Sequence, residues 1–181
     1  SCGYMLTTQI PSTNVLEDGY ADISAQTMLP VSHILWSALW LGIATDAVNR
    51  ARAYVRDAAR RKPGTVPPGA TRLAEVVGML NGMRANVHEA ARSYHAIYED
   101  RDALSSMGFA LRMNGLKVQC SALVLQIVSQ TLAICGIAGY KADTKYSVER
   151  HLRDAFSAGV QISNDRVLGA SASVLLVHRE D

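Results

Sequence analysis

Residues 118–137, "VQCSALVLQIVSQTLAICGI", contain no acidic or basic residue and are apolar on most sides of a helical wheel. A helix of this kind must be enclosed by neighbours on several sides rather than lie on a surface. Gln119, Gln126 and Gln130 would each be costly in lipid without a partner. The segment therefore reads as the central helix of a bundle and not as a membrane span. The same reading holds for "MLPVSHILWSALWLGIA" at 28–44, which carries His33 and two serines.

Helical periodicity surrounds this segment. From Val31, the residues Ile34, Ala38, Leu41, Val48, Ala51, Val55 and Ala58 fall on one stripe. "KPGTVPPG" at 62–69 then stops the helix, because its prolines and glycines cannot continue one. A second helix is expected over 71–98, with Leu73, Val77, Leu80, Met83, Val87, Ala91, Tyr94 and Ile97 inward. A third is expected over 103–135, capped by Asp102, with Met107, Leu111, Val118, Ala122, Leu125 and Leu132 inward. Ser147 is placed as the cap of a shorter helix, and a last helix starts near Ser163. Rods of about 30 residues are about 45 Å long, and short connections between them predict an all-α, up-and-down four-helix bundle.

Before this bundle, "YMLTTQIP" at 4–11 reads as a β-strand and "STNVLEDGYADIS" as a polar loop. A lone strand needs partners elsewhere. The expected organisation is residues 1–30 as the end of a preceding β-domain plus linker, and 31–181 as the helical domain.

Charge and cysteine content narrow the function. A net charge of +2 from 18 basic and 16 acidic residues gives no basic face for nucleic acid. Cys2, Cys120 and Cys135 are odd in number and lack metal-ligand spacing, so they read as free thiols in a reducing, cytoplasmic compartment. A di-iron bundle would need Glu-x-x-His pairs, and none occurs. His88 and His95 share a helix face without a matching carboxylate set, so no metal is expected. No nucleotide-binding fingerprint or nucleophile elbow is present.

One ordered set of motifs remains. "CGIAG" at 135–139 is followed by Val148-Glu149-Arg150, then Arg153-Asp154-Ala155, then a helix to the C-terminus. Upstream stands "LWLGIATDAVNRARAYVRDAARRKPG" at 39–64. This order resembles the C-terminal domain of the acyl-CoA dehydrogenase family, with its Gly-Gly-x-Gly turn, "PVER-x-x-RDA" element and Gly-Ile-Ala helix. The resemblance implies a flavoprotein acting on CH–CH groups of an acyl thioester, carried on CoA or on a carrier protein, with FAD as cofactor. It implies a homodimer or homotetramer and no nucleic-acid or membrane partner.

By position, the resemblance gives Arg60, Gly136 and Gly139 to the cofactor; the glutamine it expects before the glycine turn falls on Leu132, with Gln130 close by as the candidate, and Asn164 is a further cofactor candidate. A guanidinium fork suits a pyrophosphate, and glycines let backbone approach closely.

The resemblance departs where catalysis should sit. The family's usual glutamate falls on Ile162, and its alternative base position falls near Ser32; neither can take a proton. Asp165 is the nearest carboxylate. Pro63 replaces the phenylalanine of the Arg-x-x-Phe-Gly turn. The flavin hydroxylases of this fold place a histidine near Gln161, which this chain lacks. A flavin-dependent monooxygenase of the same fold and a non-catalytic helical subunit of a hetero-oligomer are the alternatives. The chain alone, as part of a longer flavoenzyme, is expected to be inactive.

Overall fold

The computed structural model of the chain describes residue 3 and residues 5–178, so Cys2 and Tyr4 lie outside the described residues. Its helices are α1 (Tyr20–Ile23), α2 (Leu29–Arg61), α3 (Ala70–Ile97), α4 (Arg101–Leu104), α5 (Met107–Cys135), α6 (Ile137–Tyr140), α7 (Glu149–Ser157) and α8 (Asn164–Leu175). The long helices α2, α3 and α5 form three rods, and α7 with α8 forms the interrupted fourth. The all-α bundle expected from periodicity is the fold observed.

The N-terminal segment differs from its expectation. Residues 5–11 are exposed and form no strand among the described residues, because nothing there offers a ladder partner. A single 3₁₀ turn forms at Ser12–Asn14, and the helix leading into the bundle begins at Tyr20, well before Val31. The turn between α1 and α2, Ser24–Met28, is a wide π-type turn. Pro30 follows after Leu29, and a proline removes one helical hydrogen bond and crowds the carbonyl four residues back. The wide turn accommodates that mismatch, so the helix runs through the proline instead of starting after it.

The buried face of α2 is also turned from the expected stripe. His33, Ser37, Trp40, Ala44, Ala47, Val48, Ala51 and Val55 point inward, while Ala38 is exposed. The small residues Ala44, Ala47 and Ala51 let α5 approach closely. On α3 the buried residues are Val76, Leu80, Met83, Val87 and Ala90, with Ala91 exposed. On α5, Met107 and Ala122 are exposed, whereas Phe109, Met113, Leu116, Lys117, Cys120, Val124, Ile127 and Val128 are buried. An almost uniformly apolar helix has little amphipathic phase for the pattern to report, so contacts with α2, α3, α7 and α8 decide which side is inside. Both the Tyr20–Arg61 helix and α5 are long and apolar enough to cross a membrane by length and composition; in this fold α5 is the central helix.

Capping shifts by a few residues. Asp100 accepts from the Ala103 amide at 3.0 Å and caps α4; Ser106 accepts from the Phe109 amide at 3.3 Å and caps α5. Asp102 therefore lies in the first turn of α4 instead of capping a long helix. Ser147 makes no side-chain cap for α7, whose flanking residue is Val148.

The end of α5 depends on two glycines. Gly136 takes φ +56°, ψ −139°, which a side chain tolerates poorly. Gly139 is buried, and a Cβ there would stand 2.7 Å from the Cys135 Cβ. Gly139→Ala should lower stability by about 1–3 kcal/mol through overpacking. Gly115→Ala, where a Cβ meets nothing within 4 Å, should not destabilise. Thermal unfolding of the two variants beside the parent checks the contrast.

Candidate functional site

Two polar assemblies stand out from the apolar core. The first lies where α2 ends and the glycine turn begins. The Asp57 carboxylate accepts from Lys145 Nζ at 2.8 Å and Tyr146 Oη at 2.6 Å, and Arg60 Nη1 lies 3.3 Å away. Tyr146 packs edge-on against Tyr54, with centroids 5.3 Å apart. Thr144 Oγ1 donates to the Ala138 carbonyl, and the Val148 amide donates to the Gly139 carbonyl at 2.8 Å. Residues 136–148 are thereby folded back onto α2. This brings Arg60 and the two glycines, far apart in sequence, to one end of the bundle.

The hydrogen bond from Lys145, then that from Tyr146, pulls the Asp57 pKa from the ordinary 3.8 to about 2. Lys145 is raised in return, mainly by the same contact with Asp57. At the same face of α2, Asp46 accepts from Arg50 Nε at 2.8 Å and sits 2.7 Å from His151 Nε2; Arg50 Nη1 donates to the Ser147 carbonyl at 2.8 Å. Burial would raise Asp46, but the bonds from Arg50 and His151 outweigh it and lower its pKa. Both aspartates fasten the 141–157 region to α2. The Arg153-Asp154 pair holds no such place: Asp154 meets Arg150 at 3.7 Å on the surface.

The second assembly surrounds Lys117, a charged side chain at 0% exposure on α5. Its ammonium donates to the carbonyl of Ile162, to the carbonyl of Ala158 at 3.4 Å and to Asn164 Oδ1 at 2.7 Å. Asn164 Nδ2 donates to Ser121 Oγ at 3.0 Å. The Trp40 ring lies 5.8 Å from Nζ. Three acceptors match the three N–H bonds of the charged form, although none is a carboxylate. Burial lowers the Lys117 pKa. Nearby His33 is lowered as well, first by burial and also by the Lys117 charge, against a hydrogen bond with the Met113 backbone. Among the described residues His33 Nδ1 and Ser37 Oγ are buried with no hydrogen-bond partner, Ser37 lying beside the Cys120 thiol. Burial holds the Cys120 and Cys135 thiols up at about 11.

The residues singled out in the sequence are thus distributed. Arg60 is largely exposed and, among the described residues, pairs with Asp57. Gly136 has open space where a Cβ would project. Gln130 keeps a buried Oε1 with no partner among the described residues. Arg60 offers a cation and Gly136 an approachable backbone to an anionic group, whereas the Gln130 Oε1 acceptor would need a donor. Asn164 differs, since both ends of its amide are engaged inside the bundle. Ile162 gives its carbonyl to Lys117, and Asp165 is exposed in the first turn of α8. Among the described residues no group of three His, Cys, Asp or Glu side chains could hold a metal. Lys117 escaped the sequence reading because a lone lysine in an apolar run looks like a solvent-facing position. The signal was its place directly before the uncharged stretch 118–137.

A separate cleft of about 500 Å³ lies between α3, α5 and α8, lined by residues such as Asn86, Glu89, Arg112 and Leu168. It includes neither Lys117 nor the glycine turn.

Asp57 gives a test of the first assembly. Its folded pKa is depressed, so its stabilising contribution is present above about 4 and lost as pH falls through about 2. Carboxyl titration by NMR should give a pKa near 2. In Asp57→Asn, tryptic cleavage after Lys141 and Lys145 should accelerate.

Residues 22–160 match the family described as "Acyl-CoA dehydrogenase, C-terminal domain". A dibenzothiophene monooxygenase from Mycolicibacterium goodii is 29% identical over 138 residues, covering 69% of this chain and 32% of that protein. The chain thus spans about a third of the length of this relative. No solved structure matches the chain significantly.

Proposed function

Since the chain belongs to the acyl-CoA dehydrogenase family, a family of flavin oxidoreductases, we propose that it is the helical domain of an FAD-dependent oxidoreductase whose chemistry is oxygenation. Bound FAD would supply the two-electron redox centre. Arg60 would face its pyrophosphate, Gln130 would offer an acceptor, and Gly136 would let the backbone come close. Residues 158–163 would form part of the wall against the substrate. The exposed apolar residues Leu35 and Leu39 on α2 and Phe156 and Val160 beside the loop support burial against further protein, whether another domain or another copy in a homo-oligomer.

The observation that carries the choice of chemistry is the lack of a carboxylate base at the two places where the family draws one. No residue among 29–45 or 158–164 is acidic, and Ile162 occupies the loop where a carboxylate would stand. Dehydrogenation of a thioester requires a group to accept the α-proton, and oxygenation carries no such requirement. The relationship to a monooxygenase supports the same direction. Dehydrogenation of an acyl thioester is the second reading, favoured by one feature: Asp165 is exposed one turn from Ile162.

The full-length protein tests both. It should be yellow with bound FAD, and after reduction should consume O₂ in step with oxygenated product. Anaerobic bleaching by a saturated acyl-CoA, abolished in Asp165→Asn, would replace oxygenation by dehydrogenation. A colourless protein that ignores added FAD would sink the flavin reading as a whole.

A further inference from the structure

The loop between α7 and α8 has few bonds of its own. The Asn164 amide donates to the Gly159 carbonyl at 3.1 Å, and the Val160 and Gln161 amides donate to the Ser157 carbonyl at 3.1 and 2.9 Å. The carbonyls of Ala158 and Ile162 both turn inward to one atom, Lys117 Nζ, which also takes the amide oxygen of Asn164. Val160 and Gln161 on the outside of the loop, and Phe156 at the end of α7, are exposed. One buried cation therefore holds the whole segment from behind, while its other face is free.

A methionine or leucine could fill the same volume between Trp40 and Ser121. Neither could satisfy two carbonyls and an amide oxygen at once, and unsatisfied buried acceptors are costly. The ammonium also sits by the orphan carbonyls at the C-terminal end of α7, where positive charge is favoured. Charge in this core thus serves the loop, since every acceptor of Lys117 comes from residues 158–164.

We propose that Lys117 is a positioning residue, which fixes the α7–α8 loop so that its outer face is presented to the reaction site in one conformation. Ser121 assists by holding Asn164, the acceptor that closes the set. The proposal rests on the reading of this loop as a wall of the flavin site.

The test uses the full-length, FAD-loaded protein with Lys117→Met, and reads three quantities separately. Flavin content of the parent reports on the flavin reading alone. Amide hydrogen exchange of residues 159–163 reports on the loop and should rise by about tenfold or more in Lys117→Met, given the strength of hydrogen bonds from a charged donor. Steady-state kinetics should show kcat falling by about tenfold. Lys117→Met with exchange and kcat within twofold of the parent would overturn the proposal. Increased exchange with unchanged kcat would leave a structural latch and overturn the positioning role. Should Lys117→Met fail to fold, Asn164→Leu removes one of the three acceptors and leaves α5 intact. It should raise exchange at 162–163, and unchanged exchange there would refute the latch.

Discussion

A single ammonium group buried against neutral oxygens ties the two halves of the fourth rod to the central helix. Lys117 lies one side chain away from the apolar interior, yet it is satisfied because α7 ends and α8 begins at the right distance from α5. A buried charge without a carboxylate is costly unless its hydrogen bonds are complete. The loop supplies two carbonyls and the start of α8 supplies the amide oxygen of Asn164. The interruption of the fourth rod is thus a structural requirement: an unbroken helix would have its carbonyls committed to its own backbone and could not turn two of them toward Nζ.

The other end of the bundle uses exposed charge where this end uses buried charge. Asp57 gathers Lys145, Tyr146 and Arg60, and Asp46 gathers Arg50 and His151. These bonds hold the 136–148 turn against α2, with Gly136 and Gly139 making its backbone path possible. Solvent screens such pairs more than it screens Lys117, so they order a turn without carrying much of the fold's stability. Two regions of possible chemistry are thereby held by two kinds of electrostatics, one screened and one dry.

The resemblance to the acyl-CoA dehydrogenase family was legible in residues 135–155 because those motifs are local. The bundle was legible because "KPGTVPPG" and the glycine turn punctuate three long periodic stretches. The phase of those stretches was not. His33, Ser37 and Lys117 are polar and lie off the expected inward stripes, but they are buried between α2 and α5. Ala38, Met107 and Ala122 were assigned inward and are exposed. A polar residue enters a core when partners on other helices satisfy it, and those partners are invisible to periodicity along one helix. Asn164 shows the same limit: it was a candidate cofactor contact, and its amide is committed to Lys117 and Ser121.

The sequence by itself determined the fold class, the helix count of the bundle and the absence of an acid or base at the loop position, because each depends on residue type and near-neighbour spacing. It also determined the family, through ordered local motifs. Only the tertiary structure decided that Arg60 meets the glycine turn through Asp57, that the first helix runs back through Pro30 to Tyr20, and that the loop carrying Ile162 is held by Lys117. The first and last of these rest on distances between residues 40 to 90 positions apart in the chain, where packing of one rod against another sets what touches, and the second on the wide turn that takes up Pro30.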